Sequence, residues 1–270
     1  MKLHYLIVLL CLLLSAAPLA AINYAEETTR TENVGQLRLD LTYTHPLPHQ
    51  LSIVLFEDVR FDFVPFVPST LFDLSLTSVS LVYSPFPYLK TEAAYMLKIS
   101  GPSSSKAANN HWNDPNNFIK HRVYGGVIGI YTVGNWSFVA RERLLWDMRF
   151  DDIDRRTTNQ HQLTLRHFLK TSYSFKNKGI NPYLWTELAN TLNANEYCRL
   201  NGHQYIERWR TCAGVNWKIP AEDKNRGTLN FFFRYDWGRF RSAEFSGDDI
   251  LLTTRRRNEY AIGIGYEFTN

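Results

Sequence analysis

The chain has 270 residues, of which 44% are apolar, 14% aromatic and 21% charged, with 30 basic side chains against 26 acidic ones. That apolar fraction excludes a disordered chain, and three cysteines exclude a disulfide scaffold. A formal charge of +4 gives no compositional support to a nucleic-acid partner, and the length suits one large domain.

Residues 1–21, MKLHYLIVLLCLLLSAAPLAA, combine Lys2, an apolar run from Tyr5 to Leu14 and small residues from Ser15 onward. This is the pattern of a cleaved signal peptide, with cleavage expected near Ala20 or Ala21. The run is roughly half the ~20 residues a membrane helix needs. Cys11 follows Leu10, not a small residue, which argues against lipidation. Export permits Cys198 and Cys212 to pair. A strand starting near Gln204 would hold Cys212 about 25 Å from the loop carrying Cys198, so two free thiols are expected.

Residues 22–35 read as a short N-terminal segment, and residues 36–270 read as amphipathic strands. The segments fall at 36–44, 49–63, 71–83, 88–99, 119–131, 135–148, 160–175, 182–192, 204–217, 228–238 and 258–268. Period two is plainest near the end, where Leu229, Phe231, Phe233, Tyr235 and Trp237 alternate with polar residues apart from Phe232. Tyr260, Ile262, Ile264, Tyr266 and Phe268 alternate with Glu259, Ala261, Gly263, Gly265 and Glu267. Many segments exceed the five or six residues usual in soluble proteins and suit the ~9–11 residues of a transmembrane strand. Connections at 45–48, 84–87, 132–134 and 176–181 are short, whereas those at 100–118, 149–159, 193–203 and 239–257 are long and polar. Such alternation is expected of an outer-membrane barrel with short periplasmic turns and long extracellular loops. The connection 218–227 does not fit it. Trp136, Trp146, Trp209, Trp217, Trp237, Tyr131, Tyr260 and Phe268 fall near strand ends, where amphipathic rings favour a lipid–water boundary.

The expected fold is therefore an all-β, antiparallel transmembrane β-barrel. Eleven segments conflict with the even strand number of bacterial barrels. Closing the last strand against 49–63 gives ten strands. That leaves 36–44 as an extension of the wall, an inner strand or half of an extra hairpin, with twelve strands as the alternative count.

If the apolar parity faces lipid, the other faces the lumen. There it brings a charge network of Arg141, Arg143, Arg166, Glu187, Arg208, Arg210, Arg234 and Asp236, joined by Arg60, Glu92, Arg122 and Glu267. Glu187 and Asp236 are the expected guanidinium partners, because arginine pairs bidentately with carboxylates and keeps its charge. A barrel of this size leaves little room beyond its own side chains. A filled lumen is the leading expectation and a ligand-binding or narrow transport lumen the alternative.

LSIVLFEDVRF at 51–61, FVARERLLWD at 138–147, QLTLRHFLKTSYSF at 162–175, NPYLWTELANTL at 181–192, ERWRTCAGVNWKI at 207–219, LNFFFRYDW at 229–237 and NEYAIGIGYEF at 258–268 recur in an order that resembles one family. It is the outer-membrane barrel family catalogued as domain of unknown function 2490. The resemblance covers nearly all of the chain after the signal. It implies an outer-membrane barrel, with outer-membrane lipid and the barrel-assembly machinery as partners, and brings no activity, cofactor or catalytic residue. Such barrels commonly end on an aromatic, whereas Thr269 and Asn270 follow Phe268 here.

Chemistry is sparse. Asp147, Asp151, Asp152, Asp154, His161, Asp248 and Asp249 are the residues from which a rim hydrolase would be built, since carboxylates beside an imidazole activate water. A lipid-facing Ser–His pair fails, because His167 and Ser172 have opposite parity. No HExxH or Cys/His cluster supports a metal. Arg155, Arg156, Arg239, Arg241, Arg255, Arg256, Arg257 and Lys120 are expected to form a basic rim suited to lipid phosphates. A structural or surface-interaction role is favoured over an enzyme.

Overall fold

A computed structural model describes residues 27–64, 72–101, 119–148, 161–175, 179–193, 207–219, 227–246 and 249–269. They form eleven strands: β1 (Glu27–Leu47), β2 (Leu51–Val64), β3 (Phe72–Phe86), β4 (Leu89–Ser100), β5 (Ile119–Val133), β6 (Trp136–Met148), β7 (His161–Tyr173), β8 (Ile180–Thr191), β9 (Arg208–Lys218), β10 (Gly227–Ser246) and β11 (Asp249–Thr269). Sequence neighbours pair antiparallel all the way round, and β1 meets β11 to close the barrel.

The expected counts of ten or twelve strands are both corrected to eleven. Segment 36–44 belongs to β1, a full wall strand between β2 and β11. The reason is topological. Antiparallel neighbours alternate in direction, so an odd ring must contain one parallel pair, and here it is β1 with β11, in register from Glu27↔Leu252 to Thr44↔Thr269. The assumption of antiparallel closure was the error, and no segment was surplus.

Tight turns mark one end of the barrel. At Pro48–Leu51, His49 and Gln50 both take positive φ, 60° and 63°, and Leu51 N–H donates to Pro48 O at 3.4 Å. This is the primed turn whose twist matches paired strands. Gly134, at φ 59°, turns β5 into β6, with Val133 opposite Trp136.

The opposite end, the mouth, differs from expectation. Residues 239–246 and 249–257, expected in a loop, are strand, because β10 and β11 stay paired from Gly227↔Phe268 up to Ser246↔Asp249. With the start of β1, which pairs with β2 only from Gly35 onward, they form a three-stranded extension above the wall. The sequence there, RFRSAEFS on β10 and DILLTTRRR on β11, has no period-two pattern although the backbone ladder continues. Of the expected loops at 100–118, 149–159 and 193–203, residues 102–118, 149–159 and 194–203 lie outside the described residues, as do residues 1–26.

Parity sorts the side chains. On β1, Leu37, Leu39 and Leu41 are exposed, whereas Gln36 and Arg38 are buried. On β10 and β11 the outward Phe233 and Ile262 are 51% and 58% exposed, while Asp236 and Glu259 are buried. Two apolar clusters also sit inside: Leu74, Leu76, Met96, Tyr124 and Leu145 on one side, and Tyr183, Cys212 and Phe232 with Trp185 on the other. Close approach demands glycine beneath the second cluster, since a Cβ on Gly263 would lie 2.0 Å from the Phe232 ring. No helix among the described residues is long and apolar enough to cross a membrane.

The parallel seam can be checked by cross-linking. Leu39→Cys with Ile264→Cys, partners across β1 and β11, should form an intramolecular disulfide when both native late cysteines are replaced by serine, because neighbouring-strand Cα spacing suits the bond. Leu39→Cys with Tyr260→Cys should not. Equal cross-linking of both pairs would contradict the register.

Candidate functional site

The inward row of each strand contributes to one polar network. Its centre is Arg38 on β1, which is 0% exposed. The guanidinium donates to Glu259 of β11 and, at 2.8 Å, to Gln36 Oε1. It also lies 3.7 Å from Asp58 of β2 and 3.7 Å from Asp236 of β10. Gln36 donates onward to Asp62 and Asp73 at 2.7 and 2.8 Å. One side chain therefore links β1 to both neighbours and to β10 beyond.

Asp236 gathers more cations. Arg234 holds both of its oxygens at 2.7 Å, with Arg210 at 3.3 Å and Arg208 at 3.4 Å. Glu187 on β8 accepts from Arg210 at 2.8 Å and lies 3.7 Å from Arg141 and from Arg166. Arg210 thus bridges the two carboxylates. Arg60 grips Asp58 through two donors, at 2.9 and 2.6 Å, and Arg122 holds Asp147 as a fork whose second contact is 2.6 Å. Glu259 also faces Arg257 at 3.2 Å and Arg208 at 3.6 Å.

Arg143 of β6 reaches over β5 to Glu92 of β4, again through two donors, one at 2.7 Å. The residue beneath this bridge is Gly126, where a Cβ would lie 2.9 Å from both Arg143 Cγ and Glu92 Oε1 and 2.6 Å from the Glu142 carbonyl oxygen. Aromatic faces take up part of the cationic surplus: Arg141 lies 4.3 Å from the Phe168 centroid, Arg143 4.6 Å from Tyr124 and Lys170 4.3 Å from Tyr183.

The eight network residues taken from the sequence, Arg141, Arg143, Arg166, Glu187, Arg208, Arg210, Arg234 and Asp236, all fall on this inner face, seven of them around Glu187 and Asp236, while Arg143 goes to Glu92. Glu267 is exposed near the end of β11. Sequence reading missed Gln36, Arg38, Asp58 and Glu259. The signal was present, since Gln36, Arg38 and Asp40 alternate with Leu37, Leu39 and Leu41, but setting 36–44 aside from the wall hid it.

Two of the residues expected at the rim face inward. Asp147 is held inside by Arg122, and Arg257 turns inward to Glu259 and Asp73. Arg239, Arg241, Arg255 and Arg256 stand on β10 and β11, not on a loop, and Lys120 stands on β5. Asp151, Asp152, Asp154, Arg155, Arg156 and Asp248 lie outside the described residues. Cys212 is a buried free thiol, and Cys198 also lies outside the described residues. Among the described residues no group of three or more His, Cys, Asp or Glu is placed to hold a metal ion.

Fold and network together define a closed, mostly antiparallel β-barrel with a charged interior. The chain belongs to the family described as protein of unknown function DUF2490, which matches residues 69–237. That span is narrower than the likeness read from the sequence, and leaves β1, β2 and β11 outside it. No curated protein and no solved structure matches the chain.

Breaking a buried pair from one side strands its partner's charge, at about 3–5 kcal/mol. Asp236→Ala, which frees several guanidinium groups at once, should therefore lower unfolding stability in urea by at least that much. Gly126→Val should cost about 1–3 kcal/mol through overpacking and loss of the Arg143–Glu92 bridge. Gly125→Ala, whose Cβ meets only a carbonyl oxygen at 3.7 Å, should be near neutral in the same assay.

Proposed function

We propose that this chain is an outer-membrane β-barrel whose lumen is filled by its ion-pair network, exported by a cleaved signal at residues 1–21 and serving a structural or surface-interaction role. The observation that carries the reading is the distribution of polarity: the apolar row is outside and the guanidinium row inside. A soluble barrel inverts this. The outward row includes Leu37, Leu39, Leu55, Val79, Leu81, Val127, Leu144, Leu169, Leu184, Phe231 and Ile264, all exposed. Water would oppose that much contiguous apolar surface.

Aromatic rings crowd the turn end, as at a lipid–water boundary. Phe86 stacks on Tyr88 with centroids 5.3 Å apart, Trp136 meets Tyr173 edge-on at 5.0 Å, and Tyr43 lies 4.7 Å from Phe268. On β6, outward Trp136 and Trp146 are separated by about 25 Å along the normal once a strand tilt of about 40° is allowed, which is the height of a barrel's apolar band. Glu57 and Glu142 interrupt the outward row, and each has partners within the wall. Glu57 accepts from Ser75 and Thr77, and Glu142 pairs with His167 Nδ1 at 2.6 Å. Outer-membrane lipid is then the solvent of this face, and the barrel-assembly machinery inserts it.

The rival is a narrow transport barrel. Interior clusters and ion pairs argue for a plug, so refolded protein should be silent in planar bilayers. In cells the protein should remain with the outer membrane through alkaline extraction, with a mature N-terminus just after Ala20 or Ala21. Phe231→Arg should impair insertion, since a midplane cation on the lipid face costs about 2–4 kcal/mol. Recovery of folded wild-type protein in buffer without detergent would refute the membrane reading.

A further inference from the structure

We propose that the mouth half of the lumen is a phosphate-binding site, formed by Lys98 of β4, Arg122 of β5 and Arg166 of β7 around Asp147 of β6. Lys98 stands directly opposite Lys120 in the β4–β5 ladder. Arg122, two residues from Lys120 on the same face of β5, is the diagonal neighbour of Lys98. Like charges facing each other across a strand pair are unfavourable, and partial burial makes them more so. Lys98 has no hydrogen-bond or ion-pair partner among the described residues, whereas Lys120 is engaged elsewhere.

The nearby carboxylate does not remove the surplus. The fields of Arg122, Arg166 and Lys98 all fall on Asp147, yet both Asp147 oxygens are already held by the Arg122 fork. Arg166 is weakly satisfied: it lies 3.7 Å from Glu187, which is bonded more closely by Arg210, and its buried Nε, like those of Arg38, Arg208 and Arg210, has no partner among the described residues. The remaining Arg122 nitrogen, Nη1, meets only the Met96 thioether at 4.0 Å. Lys98, Arg122 and Arg166 thus each present a nitrogen without an oxygen acceptor among the described residues. A dianion with several acceptor oxygens complements that set, and arginine forks with a lysine ammonium are the donors phosphate takes best.

The chemistry recognised is a phosphate group, whether inorganic phosphate, a phosphate monoester on a small solute, or a lipid headgroup. The site lies inside the barrel, so its fate is separable from the membrane reading, which turns on the outer face. The test is thermal unfolding of the refolded full-length mature protein in detergent, followed by tryptophan fluorescence at constant ionic strength. Inorganic phosphate, glycerol phosphate, short-chain phosphatidic acid and chloride are each titrated. Saturable stabilisation by phosphate but not chloride is expected, and the two organic arms identify the source. Lys98→Met should weaken the phosphate effect about tenfold or more while unfolding at a higher temperature than wild type without phosphate, because it removes an unpaired buried charge. Lys98→Arg should retain binding. Equal shifts from phosphate and chloride, or an unchanged phosphate response in Lys98→Met, would overturn the site.

Discussion

An odd ring of strands that alternate in direction cannot close without one parallel pair, and in this barrel everything else is arranged around that seam. Parallel ladders are slightly less stable per residue than antiparallel ones, so the β1–β11 contact is where closure needs help. Arg38 supplies it. From β1 its guanidinium reaches Glu259 on one flank, Asp58 on the other and Asp236 one strand further round. Deep burial of this arginine is tolerable because acceptors approach from three strands, and those acceptors approach only because the barrel is closed. Closure and charge pairing are therefore a single cooperative condition.

The same condition explains how the lumen is filled. A wall of this circumference leaves space for long side chains but not for a second layer of structure. Arginine suits such a space: it carries several donors on a long stem and stacks on rings. Asp236 and Glu187 each serve more than one guanidinium, and Arg210 joins them. Where a bridge must cross a strand, as from Arg143 to Glu92, the strand between gives up its side chain at Gly126. Networks of this kind rigidify a structure when fully satisfied and are weak points where they are not; the orphaned nitrogens of Arg38, Arg166, Arg208 and Arg210 are spread through this one.

Much of this was legible in the sequence where both faces of a strand carry distinct demands. Phe231, Arg234 and Ile264 could be assigned to a face from parity alone, because an exposed apolar surface on one side and a polar interior on the other force alternation. Strand existence followed for all eleven segments. What failed was inference by rule. Even-strand counting removed 36–44 from the wall, and with it Arg38, although LRLDL alternates as cleanly as any segment. The paired extension within 239–257 failed for a different reason: its sequence has no apolar alternation, so paired strands look like a polar loop. Partner choice was visible only in part. Parity says that Arg143 points inward but not that its carboxylate lies two strands away across a glycine.

The family match ends at Trp237 and begins three residues before Phe72, so it takes in the wall from β3 to the lower part of β10 and omits the seam strands. The division has an electrostatic counterpart. Within the matched wall, Lys98, Arg122, Arg141, Arg143, Arg166, Arg208, Arg210 and Arg234 face Glu92, Asp147, Glu187 and Asp236, an excess of cations. The strands outside the match bring Asp40, Asp58, Asp62 and Glu259 with Arg38, Arg60 and Arg257, a set in which carboxylates outnumber cations and Glu259 also reaches Arg208. That excess offsets part of the cationic surplus, but Lys98, on the far side of the ring, has no partner among the described residues. An anion bound there would complete the far wall as Arg38 and its acceptors complete the seam, which makes phosphate occupancy and barrel stability two readings of one charge balance.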